Sequence, residues 1–124
     1  MASLQQINKQ AIGFVEKETG KKFELKPTIR YGRNCTNSTR DKGPGTKLVR
    51  ANVIIDKKLS KPKYRKLLKP IVIHEVRENL GFQHYENKQV SHREARKLEL
   101  KSMGNDKVLL RELGRQFRKS AGYY

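Results

Sequence analysis

Residues 71 to 84 read Ile-Val-Ile-His-Glu-Val-Arg-Glu-Asn-Leu-Gly-Phe-Gln-His, which gathers His74, Glu75, Glu78 and His84 into one short stretch. If the stretch is helical, His74 and Glu78 share a face, and one cation can touch both. Glu75 points about a third of a turn aside, close enough to take a proton from a water on the metal without being a ligand. Gly81 allows a reversal at positive φ, and that reversal would bring His84 back toward the same ion. Three protein ligands with one position left open make the shell of a catalytic zinc. The flanking Ile71, Val72, Ile73, Leu80 and Phe82 suit a helix buried on its other sides.

This spacing resembles that of the zincin metallopeptidases, and among them the metzincins, whose helix carries His-Glu-x-x-His followed by x-x-Gly-x-x-His. His74, Glu75, Gly81 and His84 match that pattern, while Glu78 stands where the family has its second imidazole. The resemblance implies Zn2+ held by His74 and His84, with Glu78 as a carboxylate ligand, Glu75 as the general base, and a peptide or protein as substrate. Met103 falls where a metzincin Met-turn would come, although core packing is its simpler reading. A second pattern is similar to small prokaryotic and viral zincin-like proteins bearing His-Glu-x-x-Glu, which take a further ligand from the next helix. Here that helix offers His92, Glu94 and Glu99 as weaker third-ligand candidates. His92 is expected in an exposed first turn and ranks below His84.

The elements that must position these groups can be read from periodicity. Ser3 and Gln6 have capping-box spacing, and Ile7, Ala11, Phe14 and Val15 then recur as a helical stripe that Gly20 would end. Phe23, Leu25, Ile29 and Tyr31 alternate as in a strand, with Pro27 marking an edge. Residues 32 to 46 hold turn formers and charge, which reads as a long mobile loop. Val49, Ala51, Val53 and Ile55 give a second strand closed by Asp56. Ser60 and Pro62 open a helix, and Pro70 either kinks it or starts a new one that runs to Gly81. Ser91 and Glu94 have capping-box spacing for the next helix, with Ala95 and Leu98 inward and an end near Gly104. Asn105 or Asp106 caps a last helix whose buried stripe is Leu109, Leu110, Leu113 and Phe117. The predicted fold is one α+β domain over residues 1–124: a small antiparallel sheet of two or three strands against four or five helices, zincin-like in element order.

The 124 residues carry 29 Lys and Arg against 12 Asp and Glu, a net charge of +17. Such a field draws polyanions. The charge is concentrated in residues 21 to 70, with sixteen basic and three acidic side chains, whereas residues 71 to 90 hold two and three. Lys57, Lys58, Lys61, Lys63, Arg65, Lys66 and Lys69, with Arg111, Arg115 and Arg118 of the last helix, form the candidate DNA or RNA surface. The alternative function is therefore a basic nucleic-acid-binding protein, non-sequence-specific or helix-turn-helix-like, with a structural metal or none. A single cysteine, Cys35, excludes an internal disulfide and a Cys-based zinc finger. No apolar run reaches the roughly 18 residues of a membrane span, and Met1 to Gln10 lacks the apolar core of a secretory signal. A cytoplasmic or intracellular viral location is expected.

Overall fold

The Ser3–Gln6 capping box forms as its spacing requires, with Ser3 Oγ accepting from Gln6 N at 3.2 Å and Gln6 Oε1 accepting from Ser3 N at 2.8 Å. It starts α1 (Leu4–Thr19), which Gly20 ends at φ 69°. The computed structural model describes residues 3–33, 36–42 and 48–120. After α1 come β1 (Thr28–Gly32), β2 (Asn37–Lys42), β3 (Leu48–Asp56), two 3₁₀ turns (Lys57–Ser60 and Pro62–Leu67), α2 (Leu68–Gln83), α3 (Lys88–Met103), a short 3₁₀ turn (Gly104–Asp106) and α4 (Lys107–Ser120). The class is α+β. Among the described residues no helix is long and apolar enough to cross a membrane.

The sheet is mixed, not antiparallel. Its order is β1-β3-β2, with β3 parallel to β1 and antiparallel to β2. The chain reverses from strand to strand as expected, but the third strand inserts between the first two. β3 is the most apolar strand and takes the place with two neighbours, leaving the polar β1 and β2 at the edges. β1 begins only after Pro27, so Phe23 and Leu25 precede the strand they were expected to join. The stretch read as a loop over residues 32 to 46 contains β2. Its sequence Asn-Ser-Thr-Arg-Asp-Lys has no apolar alternation, and its pairing with β3 is what makes it a strand. Residues 34, 35 and 43–47, Cys35 among them, lie outside the described residues. At the start of β3 the register is irregular, and Leu48 is buried while Val49 is 57% exposed.

Pro70 sits in the first turn of α2, where its missing N–H leaves no bond unmade. The helix does not stop at Gly81. It runs to Gln83, and the left-handed residue that reverses the chain is Tyr85, φ 59°. Glu86 N donates to Gly81 O at 2.8 Å and Tyr85 N to Phe82 O at 3.3 Å, the paired bonds of a Schellman motif. Gly81 serves a different need: a Cβ there would lie 2.2 Å from Ser91 Oγ, so only glycine lets α3 approach. Asn87, and not Ser91, caps α3, accepting from Gln89 N at 2.9 Å and Val90 N at 3.4 Å. Ser91 is buried and donates to Glu86 Oε1 at 2.7 Å, beside the two bonds from Arg77 to Glu86 at 2.9 and 3.0 Å. One apolar cluster joins Ala11 and Val15 of α1, Val53 and Ile55 of β3, Val72, Ile73, Val76 and Leu80 of α2, Met103, and Leu110 and Phe117 of α4. Leu109, expected in the α4 stripe, is 72% exposed.

Candidate metal centre

Helix α2 is pinned to the sheet through polar side chains on its inner face. Asn79 Nδ2 donates to Thr39 O at 3.0 Å and to Asn52 O at 3.4 Å. Gln83 Nε2 donates to Leu25 O and to Asn79 Oδ1, both at 2.8 Å, while Gln83 Oε1 accepts from Glu24 N and Leu25 N at 3.0 and 3.2 Å. Ser38, paired with Val53 in the sheet, donates to the Glu75 carbonyl. These bonds fix the rotation of α2 and so the direction of the neighbouring face. Sequence reasoning missed Asn79 and Gln83. Their four-residue spacing after Glu75 inside an apolar helix was the available signal.

The neighbouring face carries His74 and Glu78. His74 Nε2 lies 2.6 Å from Glu78 Oε1, and His74 Nδ1 lies 2.7 Å from Glu99 Oε1. Glu78 Oε1 is also 2.9 Å from His92 Nδ1, and Glu99 Oε2 accepts from Arg96 Nη1 at 2.6 Å. The His74 and His92 rings meet edge to face at 5.0 Å. His92, Arg96 and Glu99 recur at helical spacing on the side of α3 that faces α2. Because α3 starts at Lys88, about one turn earlier than expected, His92 falls in its second turn. His92 remains exposed yet reaches the cluster.

Burial disfavours a charged His74, but its hydrogen bonds to Glu78 and Glu99 outweigh that and raise its pKa to about 9. Burial raises Glu75, with Glu78 and Glu99 adding to it and His74 opposing, to about 7. Burial also raises Glu78, and the hydrogen bonds from His74 and His92 reverse this, leaving it below its ordinary value. Glu75 is 6% exposed, and its Oε2 has no hydrogen-bond partner among the described residues. A buried carboxylate oxygen left in that state is uncommon and costly.

A neutral imidazole can donate from only one nitrogen, whereas both nitrogens of His74 face carboxylate oxygens. Either His74 carries two protons, or one facing carboxyl is protonated and donates to it, or a cation takes the place of a proton. The donor set suits a cation: His74, Glu78 and His92 each offer a ligand atom, and these atoms lie within 4.8 Å of one another. The group could hold a metal ion. The 2.6 Å between Nε2 and Oε1 is a hydrogen-bond distance, shorter than the roughly 3.3 Å between two ligands of one tetrahedral zinc. A proton therefore bridges them in this arrangement. No protein-family model matches the chain, and comparisons with curated proteins and with solved structures return no match.

His84 does not join the cluster. It caps α2, and its Nε2 lies 2.9 Å from Lys22 O. With the helix continuing past Gly81, a rise of about 1.5 Å per residue carries His84 roughly 15 Å along the axis from His74. Glu94 pairs with Lys97 at 3.3 Å and lies 3.8 Å from Arg93. Glu99 meets His74 on Nδ1, the nitrogen that the Glu78 pairing leaves over. The cluster opens into a cleft of about 420 Å³ lined by His74, Glu75, His92 and Glu99 on one part and by Leu67, Met103, Leu110, Arg111, Phe117 and Arg118 on another.

The predicted basic surface lies on the 3₁₀ turns, the start of α2 and α4, and its Arg111 and Arg118 also line the cleft. Lys57, Lys61, Lys63, Lys66 and Lys69 are exposed, and Lys58 and Arg65 are half-buried, all on or between the 3₁₀ turns or at the start of α2. Helix α4 packs on the Pro62–Leu67 turn through Tyr64 and Phe117, whose ring centroids are 5.2 Å apart. Arg111 and Arg115 are exposed on α4, Arg115 holding Glu112 at 2.8 Å, and Arg118 is half-buried.

Proposed function

We propose that the chain is a minimal zincin-like zinc hydrolase acting on peptide bonds, with His74, Glu78 and His92 as the protein ligands. The observation that carries the reading is the buried carboxylate oxygen of Glu75, without a hydrogen-bond partner among the described residues, on a cleft that His74 and His92 also line and beside the convergent ligand atoms of His74, Glu78 and His92. Zinc in such a site supplies a Lewis acid and lowers the pKa of water toward neutrality. Glu75, whose burial raises its carboxyl above the ordinary value, would accept a proton near neutral pH and return it to a leaving amine. Glu99 accepts from His74 Nδ1, which leaves Nε2 to face Glu78 and the ligand position, the carboxylate–histidine arrangement that orients metal-binding imidazoles. Protein purified without a His tag should hold one zinc per chain, and His74→Ala should hold none. Glu75→Gln should keep the zinc and lose at least a hundredfold in peptide hydrolysis. Equal turnover in the two proteins would end the assignment of Glu75, and failure to retain zinc after reconstitution and dialysis would end the metal site.

A second reading has its own support. Two basic stretches far apart in sequence, 57–69 and α4, adjoin across the Tyr64–Phe117 contact, and a surface of that kind attracts phosphate backbones. Neutralising about six phosphates would cost near a thousandfold in affinity between 50 and 200 mM salt. Reversing Lys61, Lys63, Lys66 and Lys69 to Glu should abolish gel-shift binding of DNA or RNA and leave zinc content unchanged. Affinity that instead collapses with His74→Ala in a folded protein would place the nucleic-acid site at the motif.

A further inference from the structure

The cleft has a wall that the proposed chemistry does not use. Leu110, Arg111, Gly114 and Phe117 of α4 line it together with His74 and Glu75. Gly114 is the informative residue. A glycine inside a helix costs roughly 1 kcal/mol relative to alanine, and this one has no positive φ to justify it. A Cβ added there would meet nothing nearer than Leu67 Cδ2 at 3.9 Å, so local packing would accept a side chain. What the missing side chain leaves is open volume in the cleft, bounded by apolar groups.

Arg111 stands at the same wall, exposed. The sole acid of α4, Glu112, is held by Arg115 at 2.8 Å, and among the described residues no ion pair engages Arg111. A cation at the rim of an apolar space is complementary to a ligand with an apolar body and an adjacent anion. Phe117 is 3% exposed, its ring edge-packed with Tyr64, so it offers no face for stacking a nucleobase. A peptide fits where a nucleic acid strand does not.

We infer that the α4 wall is a substrate subsite for peptides that present a large apolar side chain next to a carboxylate, the side chain filling the space beside Gly114 and the carboxylate meeting Arg111. This rests on the peptide-hydrolase reading of the motif. The test uses the full chain carrying Glu75→Gln and three labelled tetrapeptides, Ala-Phe-Glu-Ala, Ala-Phe-Gln-Ala and Ala-Phe-Lys-Ala, with binding read by fluorescence anisotropy. The Glu peptide should bind at least tenfold tighter than the Gln peptide. Arg111→Glu should erase that preference and favour the Lys peptide, with zinc content and thermal midpoint unchanged. Gly114→Leu should weaken all three peptides, and Gly114→Ala should keep them while stabilising the helix. Equal affinity for the Glu and Gln peptides, or a preference untouched by Arg111→Glu in a folded protein, overturns the subsite. So does a single-stranded oligonucleotide that displaces the peptide and is itself lost with Gly114→Leu. A peptide preference without zinc leaves the subsite standing and ends the hydrolase. Hydrolysis of Glu and Gln peptides at equal kcat/KM does the reverse.

Discussion

Two polar stripes run along α2, each at four-residue spacing, and the fold treats them differently. On the inner stripe, Asn79 and Gln83 spend their amides on Thr39 O, Asn52 O, Leu25 O, Glu24 N, Leu25 N and each other. Such partners cannot change state, and the bonds serve only to hold the helix on the sheet. On the neighbouring stripe, His74 and Glu78 have partners that are themselves titratable, Glu99 and His92. A hydrogen bond between two such groups can be exchanged for a shared cation, because the imidazole gives up its proton to become a ligand and the carboxylate is already ionised. Glu75 heads the inner stripe yet has a buried oxygen left unbonded among the described residues, and so belongs by chemistry to the other.

The largest effect expected from this contrast is on stability. Asn79→Ala removes the donor to two sheet carbonyls and the acceptor of Gln83 Nε2, and should cost about 3 kcal/mol, lowering the thermal midpoint by about 10 °C. Zinc per folded chain should not change. Loss of zinc from Asn79→Ala protein well below its midpoint would mean that the stripes are one unit. Next in size is Glu99→Gln, which keeps the shape of the side chain and removes the charge that orients His74 and lies against Arg96. Zinc affinity measured against a competing chelator should fall tenfold to a hundredfold, with peptide selectivity at Arg111 retained. An unaltered affinity would reduce Glu99 to a structural partner.

The helices and the pairing of His74 with Glu78 were legible because each rests on local spacing. The third ligand was not, and one residue explains why. Gly81 reads in sequence as a stop, but it is an approach point for Ser91, and nothing in the chain distinguishes a glycine that turns from one that lets a helix come close. Ending α2 there turned His84 inward and made His92 look peripheral. The same kind of local signal misled at Ser91, whose hydroxyl binds Glu86 while Asn87 caps the helix. β2 was invisible for another reason: a strand of Asn, Ser, Thr, Arg, Asp and Lys owes its existence to its neighbour β3. Without it the sheet order and the parallel pair could not be read.

The smallest effect, and the most direct test of which stripe Glu75 belongs to, is the pH dependence of the metal-free protein. Glu75 titrates near 7 in the folded chain against 4.5 ordinarily, so its folded form holds the proton more tightly. The stability this gives is full below pH 4.5 and is lost as pH rises through 7. His74, near 9 against 6.5 and flanked by Glu78 and Glu99, with His92 and Arg96 beyond them, contributes stability that is full below pH 6.5 and is lost as pH rises through 9. Both steps run the same way. Denaturant unfolding in the presence of a chelator should show stability declining from about pH 5 to pH 9, and Glu75→Gln should remove the lower part of the decline while leaving the upper. Zinc-saturated protein should show the opposite slope over the same range, since its ligands must be deprotonated and binding to the folded state adds stability as pH rises. A metal-free protein that gains stability between pH 5 and 9 would mean that His74 is not held between two carboxylates, and the cluster would lose the proton-for-cation exchange on which its reading as a metal centre rests.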